Sequence, residues 1–305
     1  MRDTHLPSLA LLLVAAVPAA LAQDEAPAAL DAPESAYWHA ATASWYVSSL
    51  GGGLSVERDG YGWISRFDAE GRLLQARWVE GLDAPTGIAS VGDRLYVADR
   101  AGLLEIDIAA ARVLRTIDLP GVQFANDVAA APDGTLYVSD MGANRIYRIR
   151  PGGEAEAWLE TPALQNPNGL WVEGDTLIVA TWGPLIEPGG FATHHPGTVL
   201  KVDRSDGSLT PLGSGEPVAN LDGIVRVGEH YFATDWSGGR LLRFDAAGAY
   251  EVVLSGFSML ADLGYSRESH TLGLPVMSDN RLVLLHLGAL AEKRGQSPFP
   301  ATDGR

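Results

Sequence analysis

One unit of about 40 residues recurs along this chain, and each copy breaks into short strand-like runs separated by turn residues. The clearest copy starts at Asn126. It holds an Ala/Val run, a Pro132-Asp133-Gly134 turn, the run LYVSD, a Gly-Ala-Asn turn, the run RIYRI, a Gly-Gly turn, and a last run around Trp158. Weaker copies begin at Gly87, Asn168, Asp222 and Ala261, and the first, from Ala36, carries a longer insert before WISRFD. Thr86, Asn126 and Asn168 stand 40 and 42 residues apart, and Asp222 stands 40 before Asp262. The intervals from Glu34 to Thr86 (52) and from Asn168 to Asp222 (54) are longer, which places inserts in the first and fourth units. Six such units with no amphipathic helical period predict an all-β fold, a six-bladed β-propeller of four-stranded blades around a central channel. A parallel α/β fold would need helices between the strands, and none of useful length is legible. The propeller is expected to occupy 23–288 as a single domain, with a disordered tail at 289–305. Its last unit ends at a third strand near Leu287, so residues 26–32 are expected to supply the fourth.

Four polar residues hold one phase of the repeat: Glu34 in PESAYW, Asn126 in FANDVA, Asn168 in NPNGLW and Asp222 in NLDGIV. If the units surround an axis, these side chains converge on it. Two carboxylates and two amide oxygens describe a hard-cation site, with Ca2+ first and Mg2+, Mn2+ or Zn2+ as alternatives. Structural roles compete: Glu34 could cap the approach to its strand, and Asn126 could hydrogen-bond between blades. At the same phase the sixth unit presents Asp262, a site residue or a structural acceptor, and the second presents only Thr86.

The second strands of the units end at Ser48, Asp99, Asp140, Trp182, Asp235 and Ser278-Asp279, on the face where the four polar residues begin their strands. Asp99, Asp140 and Asp235 repeat one position, which favours a turn-forming role. The inserts 49–62 and 183–197 rise from the same face, where long loops often shape a substrate site. The second contains His194 and His195, and Trp182 and Trp236 begin rim loops, so these four residues are candidates for ligand contact.

Residues 1–22 have the features of a secretory leader. A weakly charged start is followed by an apolar stretch from Leu6 to Ala19 and an Ala20-Leu21-Ala22 cleavage pattern. The apolar run is shorter than the roughly 20 residues of a membrane span, so a periplasmic or secreted protein without a membrane span is expected. The chain has no cysteine, which excludes disulfides, thiolate ligands and thiol nucleophiles. With 38 acidic against 22 basic residues its net charge is −16, which argues against nucleic acid and anionic lipid as partners and leaves a small molecule as the expected ligand.

The sequences PES at 33–35, ND at 126–127, NGL at 168–170 and LDG at 221–223 resemble those of the gluconolactonase and regucalcin family of calcium-dependent six-bladed propellers. Paraoxonases and diisopropyl-fluorophosphatase are more distant relatives of similar design. The resemblance implies metal ligation by Glu34, Asn168 and Asp222, with Asn126 beside the ion. That family's lactonases place an Arg two residues before the Asn of ND, used for sugar-derived substrates, where this chain has Phe124. The implied activity is metal-dependent hydrolysis of a lactone, ester or similar electrophile. In it Asp222 is both ligand and a base for the attacking water, Asn126 contacts substrate, and Asp262, Asp127, His194 or His195 exchanges protons. The competing expectation is a non-catalytic binding or scaffold propeller whose central ion is structural.

Overall fold

A computed structural model describes residues 28–52, 58–100 and 102–288. The expected leader at 1–22 and tail at 289–305 lie outside the described residues. Within them the chain forms six antiparallel sheets, five of four strands and one of three, each with its strands in meander order. Blade one is Pro33–His39, Ser44–Ser49, Gly62–Phe67 and Leu73–Leu82. The innermost strands of the next five blades are Ile88–Val91, Ala125–Ala130, Pro167–Glu173, Leu221–Val227 and Gly264–Ser266. No helix among the described residues is long and apolar enough to cross a membrane.

Blade-on-blade stacking explains the hydrophobic pattern. A second strand such as Leu136–Asp140 is buried at every position, because both faces meet a neighbouring blade. An outer strand such as Arg112–Ile117 is exposed at half its positions and buried at one. Between blades two and three, Leu103, Leu119, Val128, Val138 and Tyr147 form one apolar layer. Burying each such side chain contributes about 1.5–3 kcal/mol.

The inner strands begin irregularly, and that irregularity aims the polar residues. In blades one, four and five the register shifts between Pro33 and Ala36, Pro167 and Leu170, and Leu221 and Ile224. In blade three it shifts opposite Val138 and Asp140. Each is a bulge in which two residues face one, so the side chains leave strict alternation at Glu34, Asn126, Asn168 and Asp222. Hydroxyls of the second strands secure three of the bulges. Ser48, Ser139 and Thr234 accept from the N–H of Ser35, Asp127 and Gly223, each at 2.9 Å. One position later the repeated aspartates hold turns. Asp99 accepts from Ala84 N at 2.6 Å, Asp140 from Phe124 N at 2.8 Å, and Asp235 from Gly238 N at 2.9 Å.

The ring closes at the axis. Asp262 N donates to Glu34 O at 2.8 Å and Ala36 N to Asp262 O at 3.2 Å, which joins blade six to blade one. Residues 28–32, the described part of the expected closing strand, form no strand, and blade six keeps three. Instead Ala29 O accepts from Trp63 Nε1 at 3.1 Å and Ser65 Oγ at 2.6 Å in blade one. Leu30 packs on Trp45 and Phe67, with Leu282 and Leu284 of blade six at the edge of the same cluster. The segment covers the seam without extending a sheet. Ala32 at φ 48° is in the left-handed region and breaks an extended run, and the preceding Ala-rich stretch has weak strand preference.

Candidate cation site

The bulges bring Glu34, Asn126, Asn168 and Asp222 together at one end of the channel, where they line a cavity of about 100 Å³ with Thr86. All four are buried, at 2–6 % exposure. Three of their oxygens, Glu34 Oε2, Asn126 Oδ1 and Asn168 Oδ1, have no hydrogen-bond partner among the described residues. Leaving a buried acceptor unsatisfied costs about 1–3 kcal/mol, so three in one cavity call for a common partner.

The electrostatics point the same way. Burial, and then the charges of Asp222, Asp262 and Asp127, raise the pKa of Glu34 well above the usual carboxylate range. Burial and Asp262 raise that of Asp222, opposed by a hydrogen bond with the Asn168 side chain. Carboxylates packed out of water resist ionising together, and a divalent cation between them would remove the cost. The donor set is all oxygen, mixed between carboxylate and amide. Among the described residues no three His, Cys, Asp or Glu side chains gather as a cluster of their own. Hard cations take such mixed oxygen sets, so the residues fit Ca2+ or a similar ion.

Asp262 does not share the phase of the four. It pairs in parallel with Ser35, one residue beyond Glu34, so Ala261 holds the equivalent place. With Asp127 it belongs to a second layer that lines a separate cavity of about 250 Å³. Asp262 Oδ2 accepts from Ser35 Oγ at 2.6 Å. Asp127 accepts from Val128 N and Leu170 N, each at 2.6 Å. Burial lifts the Asp262 carboxyl to about 7. A Cβ on Gly87 or Gly223 would collide with the carboxyls of Asp127 and Asp262, so glycine at both positions leaves them room.

The cavity wall is apolar: Leu50, Phe124, Met141, Trp182, Phe191, Trp236 and Met277. Four rings run across it in steep contacts, Phe124–Phe191 at 6.2 Å and Phe191–Trp182 at 6.1 Å edge to face, and Trp182–Trp236 at 5.5 Å tilted. Phe191 belongs to the insert 183–197, whose His194 and His195 are exposed and outside the cavity lining. A groove of about 500 Å³ adjoins the cavity through Phe124, Met141 and Phe191, and Arg58 and Arg100 line it too. The sequence reading named Trp182 and Trp236 and missed Met141, Phe191 and Met277, which look like ordinary core residues until the loops fold over the axis.

No protein-family model matches the sequence, and no curated protein matches it. Among solved structures it is similar to a gluconolactonase from Xanthomonas campestris, with a TM-score of 0.58 and 18 % identity over 79 % of this chain and 82 % of that one. The chain shares that enzyme's fold. The likeness is one of architecture, the six-bladed ring described above.

Proposed function

We propose that the protein is a divalent-cation-dependent hydrolase of a lactone, ester or similar electrophile, with calcium the first choice of ion, acting outside the cytoplasm as its leader-like N-terminus suggests. The observation that carries the reading is the trio of unsatisfied buried oxygens on Glu34, Asn126 and Asn168, facing one cavity beside the Asp222 carboxylate. The fold shared with a gluconolactonase supports it at the level of scaffold.

Glu34, Asn126, Asn168 and Asp222 would hold the ion. When bound, the cation supplies Lewis-acid polarisation of a carbonyl and stabilises the oxyanion formed on attack. Asp222 would take the proton from the attacking water on a carboxylate oxygen, while the Asn168 amide holds that carboxylate in place. Asn126, on the neighbouring blade, would orient the substrate as well as the ion. Asp262 lies in the second layer and would act on Asp222 through charge. The aromatic wall would exclude bulk water and strengthen each of these interactions.

The test is a panel of small lactones and aryl esters assayed with calcium and with chelator, for wild type and Asp222→Ala, alongside calorimetric calcium binding. Chelator-sensitive turnover that falls at least ~10³-fold in Asp222→Ala supports the reading. Calcium binding with no turnover on any substrate would leave the ion a structural role in a binding propeller.

A further inference from the structure

On the reading that the cation site hydrolyses a carbonyl electrophile, we infer that its substrate has a small carbonyl head and an apolar arm, and is not polyhydroxylated. The inference rests on where the polar atoms of the cavity are already committed. Trp182 Nε1 donates to Phe191 O at 2.9 Å, and Trp236 Nε1 donates to Met277 Sδ at 3.2 Å. Both indoles therefore present only ring carbon to a ligand. Thr86 turns its hydroxyl to Ala98 O at 3.2 Å. Among the described residues, the remaining polar side chains of the lining are the four of the floor, Glu34, Asn126, Asn168 and Asp222, which would hold the ion. A substrate carrying several hydroxyls would lose water there and find, among the described residues, only the Thr86 oxygen on the wall to accept from it, at a cost for every unpaired hydroxyl.

Size adds direction. A cavity of about 100 Å³ holds a head of only a few heavy atoms. The rest of the molecule must leave over the Phe124–Phe191 edge into the groove of about 500 Å³, where Val122, Leu185 and Pro188 continue the apolar surface and Arg58 and Arg100 each give a guanidinium N–H to a backbone carbonyl, Arg100 O and Gln123 O. Phe191 is 52 % exposed, so an arm lying across it removes apolar area from water that the free protein leaves open.

Two lactones with the same ring test this, one bearing a linear alkyl arm and one bearing hydroxyls, each with a matching non-hydrolysable lactam. In calcium, the alkyl lactone should be turned over at least ~10-fold faster in kcat/KM, and Phe191→Ser should lower that value ~10-fold, mainly through KM. The alkyl lactam should change the fluorescence of the Trp182–Trp236 pair and the hydroxylated lactam should not. Equal or faster turnover of the hydroxylated lactone, or indifference to Phe191→Ser, overturns the apolar arm while calcium-dependent hydrolysis stands. If neither lactone is turned over, the lactams alone decide the apolar arm: binding of the alkyl form supports it, and binding of neither or of the hydroxylated form overturns it, while the hydrolase reading fails only if the aryl esters are not turned over either.

Discussion

Glu34 sits where a charge is costly, buried and facing the carboxyls of Asp222, Asp262 and Asp127. Removing its charge should therefore have opposite effects with and without the ion. In chelator, Glu34→Gln should melt at or a few degrees above wild type, because one member of a repelling set is gone. In calcium the wild type should gain stability as RT ln(1 + [Ca2+]/Kd), roughly 2.7 kcal/mol at a hundredfold excess over Kd, and the variant should gain far less. Paired thermal scans check this, and a chelated variant melting well below wild type would contradict the repulsion. The same residues set a pH dependence. Asp262, lifted to about 7, binds its proton more tightly folded than unfolded. Its contribution to stability is thus complete below the unfolded carboxyl value, about 4, and is lost as pH rises towards 7. The Tm of chelated wild type should fall across that window relative to Asp262→Asn, and calcium should flatten the difference. A rise over the same window would refute the assignment.

At the level of the strand, the bulge does what alternation cannot: it lets residues 126 and 127 on one strand serve two layers of the channel. Ser139 Oγ holds that bulge, accepting from Asp127 N at 2.9 Å and donating to Asn168 O at 2.8 Å in the next blade. Ser139→Ala should cost about 1–3 kcal/mol in chemical denaturation and weaken calcium binding, since it loosens both Asn126 and Asn168. Unchanged affinity would show that the hydroxyl supports the fold alone. The repeat made Glu34, Asn126, Asn168 and Asp222 legible in the sequence, because side chains at one phase must share a layer. It misplaced Asp262 by one residue. A bulge is invisible to a count by period, and only the pairing of Ser35 with Asp262 reveals the offset. The described part of the fourth strand expected from 26–32, residues 28–32, forms no strand for a related reason: hydrophobic pattern does not say whether an Ala-rich segment pairs with a strand edge or caps it.

For the whole molecule, a net charge of −16 strains the compact state, and four carboxyls at the axis add to that strain. Raising sodium chloride to ~0.5 M should therefore raise the Tm of chelated and calcium-loaded protein by similar amounts, because screening reaches the exposed charges, which both forms share, and barely reaches the buried carboxyls. A much larger rise in the chelated protein would show that salt reaches the axial carboxyls.

The pairing of Ser35 with Asp262 also sets a schedule for biosynthesis. The first strand of the ring is made early, and the backbone groups it will give to the last blade wait until more than two hundred further residues have emerged, roughly 10–50 s at ordinary ribosomal speed. Throughout that interval the nascent chain carries an uncovered, aromatic-rich sheet face at Trp38 and Trp45, which Gly264, Gly273, Leu282 and Leu284 of the last blade will cover, the kind of surface that chaperones attend and that sticks to its neighbours when left alone.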